Sequence, residues 1–234
     1  MIKLITLTNN GYKRLTHNCI ESLKKIGLDN ILKVYCIDNS AYEYIKEING
    51  ENNTILMDLE NNEIESNFIK FRHSGWSKVV LKKFQIIYNE LMKCKENEYV
   101  LFTDGDIVYL KNDILNYCES FIKENGNDIV FQNDFSNPNI KNRTVCSGFM
   151  LIKKTDKILE IFSSDRIKNY NCDQDYINDI KNELNYGVLD LDLFPHGFHF
   201  GNNKDRINPF MIHFNWLIGN DKEKKMREWG KWYL

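Results

Sequence analysis

The chain has 234 residues and only three prolines. It shows no Pro/Gly/Ser-rich linker, no internal repeat and no low-complexity segment, which points to one domain over 1–234. There is no C-x-x-C pair among its six cysteines, Cys19, Cys36, Cys94, Cys118, Cys146 and Cys172. A zinc ribbon and a thioredoxin-type motif are thereby excluded. Several of these cysteines sit inside apolar patterns, so buried free thiols and a reducing compartment are expected. No apolar run approaches the length of a membrane span, and Met1–Leu7 is too short for a secretory apolar region. A cytoplasmic location is the resulting expectation. A large excess of one charge is also missing. Lys and Arg number 31 against 33 Asp and Glu, a formal net charge of −2, so no global basic field for nucleic acid exists.

What is present is a core. Hydrophobic residues make up 42% of the chain and aromatics 13%, enough for a sizeable core, and the length suits one large α/β domain or two small ones. Ile2–Thr6, Val34–Ile37 and Thr54–Leu59 read as strands, and Leu15–Ile26 reads as an amphipathic helix closed by Gly27. Tyr42–Ile48 reads as a short helix and Trp76–Met92 as a long one. Residues 60–74 read as polar and irregular. The alternation predicts a mostly parallel sheet with helices on both faces. In the second half, Ile129–Gln132, Cys146–Ile152, Val188–Phe194 and Phe210–His213 read as strands. Asn133–Asn142 reads as a polar loop, Asp173–Leu184 as a helix, and residues 221–232 as a basic terminal helix. The division expected is a nucleotide-binding half over about 1–110 and a smaller mixed acceptor half over about 111–234.

The strongest chemical signal is Tyr99–Val108, an apolar strand that runs into Asp104-Gly105-Asp106. Residues i and i+2 of an extended chain share a side, so both carboxylates face one cation. Gly105 lets a ligand approach the backbone. A hard divalent ion takes oxygen ligands and completes its shell with phosphate. Ligands of open α/β sheets sit beyond the carboxyl ends of strands, where these acids fall. His213, on a short apolar strand, offers a neutral imidazole to an oxygen-rich Mn²⁺ shell. It is followed by Gly219 and by Lys222, a cation for phosphate. Thr8, Asn9 and Tyr12 follow strand one, with Tyr12 suited to stack on a base and Asn9 to meet its polar edge. Lys83 lies on the helix before the Asp104–Asp106 strand. Asp173 and Gln174 open a helix near the expected sugar, and Asp134 is a further carboxylate for that region. Cys146-Ser147-Gly148-Phe149 places small residues inside an apolar strand, which leaves room for a sugar ring.

Taken in order, these residues resemble the GT-A nucleotide-diphospho-sugar transferases, nearest to glycosyltransferase family 77 and related to family 8. The ordered set is Thr8-Asn9-Tyr12, the helix lysine, Asp104-x-Asp106, Gly148-Phe149, Asp173-Gln174, Phe194-Pro195-His196-Gly197 and His213-x-Asn215…Gly219…Lys222. The resemblance covers Thr6 to Trp232. It implies a GT-A, Rossmann-like fold and transfer of a sugar, with retention, from a UDP-sugar to a carbohydrate or protein acceptor. It implies Mn²⁺ or Mg²⁺ on Asp104, Asp106 and His213, with Lys222 on the diphosphate and Tyr12 on the base. Lys83 then lies near the donor sugar, Asp173 and Gln174 line the anomeric centre, and Phe194–Gly197 shapes the acceptor side. The helix lysine is doubled as Lys82-Lys83, and the terminal helix offers Lys222, Lys224 and Lys225, so either assignment is open to its neighbours. Two other readings stand beside this one. One is a haloacid-dehalogenase-like phosphatase with Asp104 as nucleophile; the other is an inactive nucleotide-sugar-binding module.

Overall fold

The structure, a computed structural model, describes residues 1–57, 76–96, 98–135 and 144–234. Its first half runs β1 (Ile2–Thr8), α1 (Lys13–Lys25), β2 (Leu32–Cys36), α2 (Asn39–Asn49), β3 (Thr54–Leu56), α3 (Trp76–Val80), α4 (Lys82–Met92), β4 (Tyr99–Thr103) and β5 (Ile107–Tyr109). The second half runs α5 (Ile114–Glu124), β6 (Ile129–Asn133), β7 (Val145–Lys153), α6 (Asp156–Phe162), α7 (Asp173–Ile180), β8 (Tyr186–Val188), α8 (Gly197–Asn203), β9 (Met211–His213) and α9 (Asn220–Glu228). Among the described residues, seven strands form a mixed sheet in the order β3-β2-β1-β4-β7-β6-β8. All its neighbouring pairs are parallel except those made by β7, which runs antiparallel to β4 and β6. β5 and β9 form a separate antiparallel pair.

Helices cover both faces, as the sequence pattern predicts. Leu4, Tyr99 and Leu101 point to the face packed by α1, α2 and α5. Ile5, Val100 and Phe102 point to the opposite face, packed by α4, α6 and α7. A strand buried on both faces needs apolar residues at every position, which is why β4 reads Tyr-Val-Leu-Phe. Each such fully buried side chain contributes about 1.5–3 kcal/mol of burial, so the end of β4 is firmly held. Helix α1 stops where expected. Gly27 takes φ 73°, its N–H donates to the Lys24 carbonyl, and the Leu28 N–H donates to the Leu23 carbonyl. All six cysteines are free and buried. Among the described residues no helix is long and apolar enough to cross a membrane.

Four segments depart from the sequence reading. The expected strand Val188–Phe194 is β8 at Tyr186–Val188 followed by a turn. The Asp190 carboxylate accepts the N–H groups of Asp192 and Leu193, at 2.8 and 3.2 Å, and bends the chain away from the sheet. The long helix over 76–92 is two helices meeting at Leu81. Helix α7 ends at Ile180 and tightens into one 3₁₀ turn over Lys181–Glu183. The terminal helix ends at Glu228, and beyond it Trp229 packs on Phe200 and Phe214, while Trp232 and Tyr233 lie partly buried beside Arg14 and Lys25 of α1. Positions 58 and 59 of the third expected strand, the 60–74 segment and most of the 133–142 loop lie outside the described residues.

Candidate active site

Asp104 and Asp106 do not share a side because the chain is extended there. Strand β4 stops at Thr103, and the Ile107 N–H donates to the Asp104 carbonyl at 3.3 Å, so Asp104–Asp106 is a tight turn between β4 and β5. Gly105 fills a structural need at this turn, since a Cβ there would collide with the Thr16 hydroxyl on α1. Thr16 in turn donates to Thr8 Oγ1 at 2.9 Å, which ties the turn to the end of β1.

The β5–β9 pair brings in the third group. Ile107 stands opposite His213, and the Phe214 N–H donates to the Asp106 carbonyl at 3.2 Å. His213 Nε2 lies 3.2 Å from Asp106 Oδ1 and 3.7 Å from Asp104 Oδ2. The three side chains offer ligand atoms that all lie within 4.8 Å of one another. His213 Nε2 is buried without a hydrogen-bond partner. A buried nitrogen left bare beside two carboxylates is costly unless a cation completes it. The donor set of two carboxylates and one imidazole suits a divalent ion of the Mn²⁺ or Mg²⁺ kind. The residues therefore fit a metal.

Two lysines flank the acids. Lys222, from α9, pairs with Asp106 Oδ2 and sits 5.9 Å from the centre of the Tyr12 ring. Lys83, from α4, pairs with Asp173, lies 3.3 Å from Asp104 Oδ1 and donates to the Ser147 carbonyl at 3.2 Å. Burial alone would drive both ammonium groups toward neutrality. The surrounding carboxylates outweigh it and hold both above the usual lysine value. Burial likewise opposes ionisation of Asp106 and Asp173. The Lys222 ammonium holds Asp106 well below the ordinary carboxylate range, and Lys83, with the Ser147 hydroxyl at 2.6 Å, lowers Asp173. Asp134 behaves differently. Burial pushes it up, although Gln174 Nε2 at 2.7 Å and Asn215 Nδ2 at 3.0 Å both donate to it.

The sheet itself makes room here. Between β6 and β7 the register jumps from Phe131↔Met150 to Gln132↔Cys146, so Ser147, Gly148 and Phe149 bulge out of that ladder. The Gly148 carbonyl accepts the Asp104 N–H at 2.7 Å, and a Cβ at 148 would strike the Asp104 carboxylate and the His213 ring. A cavity of about 530 Å³ opens over this region at the carboxyl ends of β1 and β4.

Most of the residues singled out from sequence converge on that cavity. Thr8, Asn9, Tyr12, Lys83, Asp104, Gly105, Asp106, Asp134, Asp173, Gln174, His213 and Lys222 all line it. Asn9 is also bound into the turn, its Oδ1 accepting the Tyr12 N–H at 3.1 Å. Lys82 is turned away toward Gln85, Lys225 pairs with Glu228, and Lys224 is exposed. Gly219 does not line the cavity; it opens α9 with φ 57°. Phe194–Gly197 stands behind the cavity rather than in its wall. The Pro195 carbonyl accepts the His213 N–H at 3.0 Å, and the His196 ring stacks on Trp216 at 5.2 Å. The His196 pKa is pushed down to about 4, chiefly by burial. Sequence reasoning missed Gln132, Trp216 and the apolar wall of Val79, Val80, Leu217 and Ile218. A glutamine ending an apolar strand was the one available signal for Gln132.

A sheet of this order, with a D-x-D turn, an imidazole and two buried lysines at its carboxyl end, defines an α/β fold of the GT-A type. The sequence model of the nucleotide-diphospho-sugar transferases matches residues 27–228, and the chain belongs to that family. It is 25% identical, over 289 aligned positions, to the UDP-galactose:fucoside alpha-3-galactosyltransferase of Dictyostelium discoideum. That alignment takes in 99% of this chain and 43% of the relative, so the chain spans less than half of the relative's length. Among solved structures, an active-site mutant of LgtC superposes with a TM-score of 0.59 at 11% identity, covering 92% of this chain and 87% of that one. A glycosyltransferase involved in glycosylation of the major capsid of PBCV-1 also gives 0.59 at 11% identity, covering 97% and 98%. Mouse xyloside xylosyltransferase 1 gives 0.56 at 12% identity, covering 92% and 98%. These three share the fold.

Proposed function

We propose that the protein is a divalent-cation-dependent glycosyltransferase that moves a sugar from a nucleoside-diphosphate donor, a UDP-sugar, to a hydroxyl of a carbohydrate or glycosylated protein. The observation that carries this reading is the Asp104–Asp106–His213 cluster, with its bare Nε2, set beside Lys222 in a cavity of nucleotide-sugar size. Asp104, Asp106 and His213 would hold Mn²⁺ or Mg²⁺. When bound, the cation supplies Lewis-acid and electrostatic stabilisation of the departing diphosphate. Breaking the anomeric bond leaves negative charge on the diphosphate and positive character on the sugar ring. Lys222 meets the first of these with a fixed, buried ammonium. Tyr12 packs on the base and orients it. Lys83 and Asp173 form a buried pair that holds Asp104 in place, while Gln174 and Asp134 face the sugar.

The galactosyltransferase relative suggests galactose as the sugar. Its name describes an α-linked product made from a UDP-galactose donor, which supports retention here as well. On the acceptor side, Trp216 lines the cavity, is half exposed and lies 5.7 Å from the exposed Phe198 ring. Such a surface matches the apolar face of a sugar ring. The phosphatase alternative requires its nucleophile on the first core strand, whereas Asp104 follows β4, the fourth strand among the described residues.

The test is release of free nucleoside diphosphate from a panel of nucleotide sugars with Mn²⁺, with and without EDTA. Turnover of one UDP-sugar, lost with EDTA and in Asp106→Ala, is expected. Turnover that persists in EDTA, or release of phosphate from simple esters that is lost in Asp104→Asn, would overturn the reading.

A further inference from the structure

We propose that Gln132 is the positioning residue that sets the tautomer and aim of His213, so that Nε2 presents its lone pair to the cation. The inference rests on the reading of Asp104, Asp106 and His213 as a divalent-cation centre. Gln132 is fully buried at the end of β6, and its amide orientation is fixed from behind. Its Nε2 donates to the Phe194 carbonyl at 3.0 Å, a partner that accepts only. The amide oxygen is therefore the atom that faces His213 Nδ1, at 2.7 Å. An oxygen there requires a hydrogen on Nδ1. In the neutral imidazole that leaves Nε2 bare, and Nε2 is the nitrogen that lies between Asp104 and Asp106 without a partner. The opposite tautomer would set a lone pair on Nδ1 against the Gln132 oxygen.

The fold supplies this relay by a particular device. The register jump at Phe131/Gln132 sets Gln132 opposite Cys146, with Ser147–Phe149 of β7 bulged out of that ladder. The neighbouring Phe194 and Pro195 carbonyls then act together. One holds the Gln132 amide, and the other holds the His213 backbone N–H at 3.0 Å. Cys146 Sγ also lies 3.7 Å from Nδ1, but a neutral thiol is a far weaker acceptor than an amide oxygen. Burial drives that thiol's pKa well up, so it stays neutral. Outer partners of ligating histidines carry about 10- to 100-fold in metal affinity, which sets the size of the expected effect.

The experiment reads the imidazole nitrogens of metal-free protein by long-range ¹H–¹⁵N correlation, with His213→Asn assigning the signal. Mn²⁺ binding is then followed by electron paramagnetic resonance. Wild type is expected to carry its hydrogen on Nδ1. Gln132→Leu is expected to move the hydrogen toward Nε2 and to weaken Mn²⁺ about 10- to 100-fold. Gln132→Glu, which keeps an acceptor facing Nδ1 but sets its second oxygen against the Phe194 carbonyl, is expected to retain the hydrogen on Nδ1 at a cost in stability, and to weaken Mn²⁺ less than Gln132→Leu does. A wild-type Nδ1 that carries no hydrogen would overturn the inference without any variant, as would a Gln132→Leu protein that folds, keeps the tautomer and binds Mn²⁺ normally. Wild type that binds no Mn²⁺ would instead overturn the metal reading of the site, while the tautomer still decides the role of Gln132.

Discussion

Lys83→Met removes an ammonium that two buried or half-buried acids depend on, and its cost can be worked from the site. Asp173 is 5% exposed, and Lys83 is its cationic partner, with Ser147 donating a single hydrogen bond. Breaking a buried pair from one side leaves an uncompensated charge and costs about 3–5 kcal/mol. For a chain of this size that lowers Tm by roughly 6–20 °C. The pH dependence carries the sign. In wild type the Asp173 pKa is depressed, so its stabilisation is present above the unfolded carboxylate value and lost as pH falls through the lower folded value. Lys83 has a raised pKa, so its contribution is complete below about 10 and lost only above that. Without Lys83, burial governs Asp173 and raises it. The deficit of the variant is therefore largest at neutral pH and shrinks as pH falls toward 4. Adding Asp173→Asn should recover most of the loss, because the stranded charge is gone. Thermal unfolding of wild type, Lys83→Met and the double variant between pH 4 and 8 checks this. A deficit that is constant with pH and not recovered in the double variant would refute the ion-pair argument.

Other consequences follow from the same geometry. Gly148→Ala should lower Mn²⁺ affinity by tenfold or more and cost about 1–3 kcal/mol, because the added methyl meets the Asp104 carboxylate and the His213 ring; metal titration and thermal unfolding read both. Lys222→Ala should cut kcat for donor hydrolysis by about 10²–10³, the scale of one lost electrostatic contact to the leaving group, and steady-state kinetics measures it. Trp216→Ala should raise the acceptor KM several-fold while leaving donor hydrolysis without acceptor largely unchanged. Equal losses in both assays would place Trp216 on the donor side instead.

The parts of this site that were legible in sequence are those written locally. β4 reads as a strand because burial on both faces demands an unbroken apolar run, and Gly27 marks a helix end through its left-handed backbone. Asp104 and Asp106 were expected to meet along an extended chain, and a turn joins them instead. The Val188–Phe194 error has a local cause, since alternating Leu and Asp imitates a strand until the Asp190 side chain caps the backbone. What could not be read depends on distance along the chain. Lys83 and Lys82 are equivalent as text, and only the helix phase against β4 and β7 selects Lys83. Gln132 meets His213 across 81 positions through a register jump that no spacing announces.

The central claim is that a divalent cation held by Asp104, Asp106 and His213 is what binds the donor's diphosphate. Calorimetric titration of UDP into the protein, with Mn²⁺ and again with EDTA, tests it most directly. Saturable binding with Mn²⁺ that vanishes with EDTA and in His213→Ala is the result expected. UDP binding of equal strength in EDTA, or none in Mn²⁺, would contradict it.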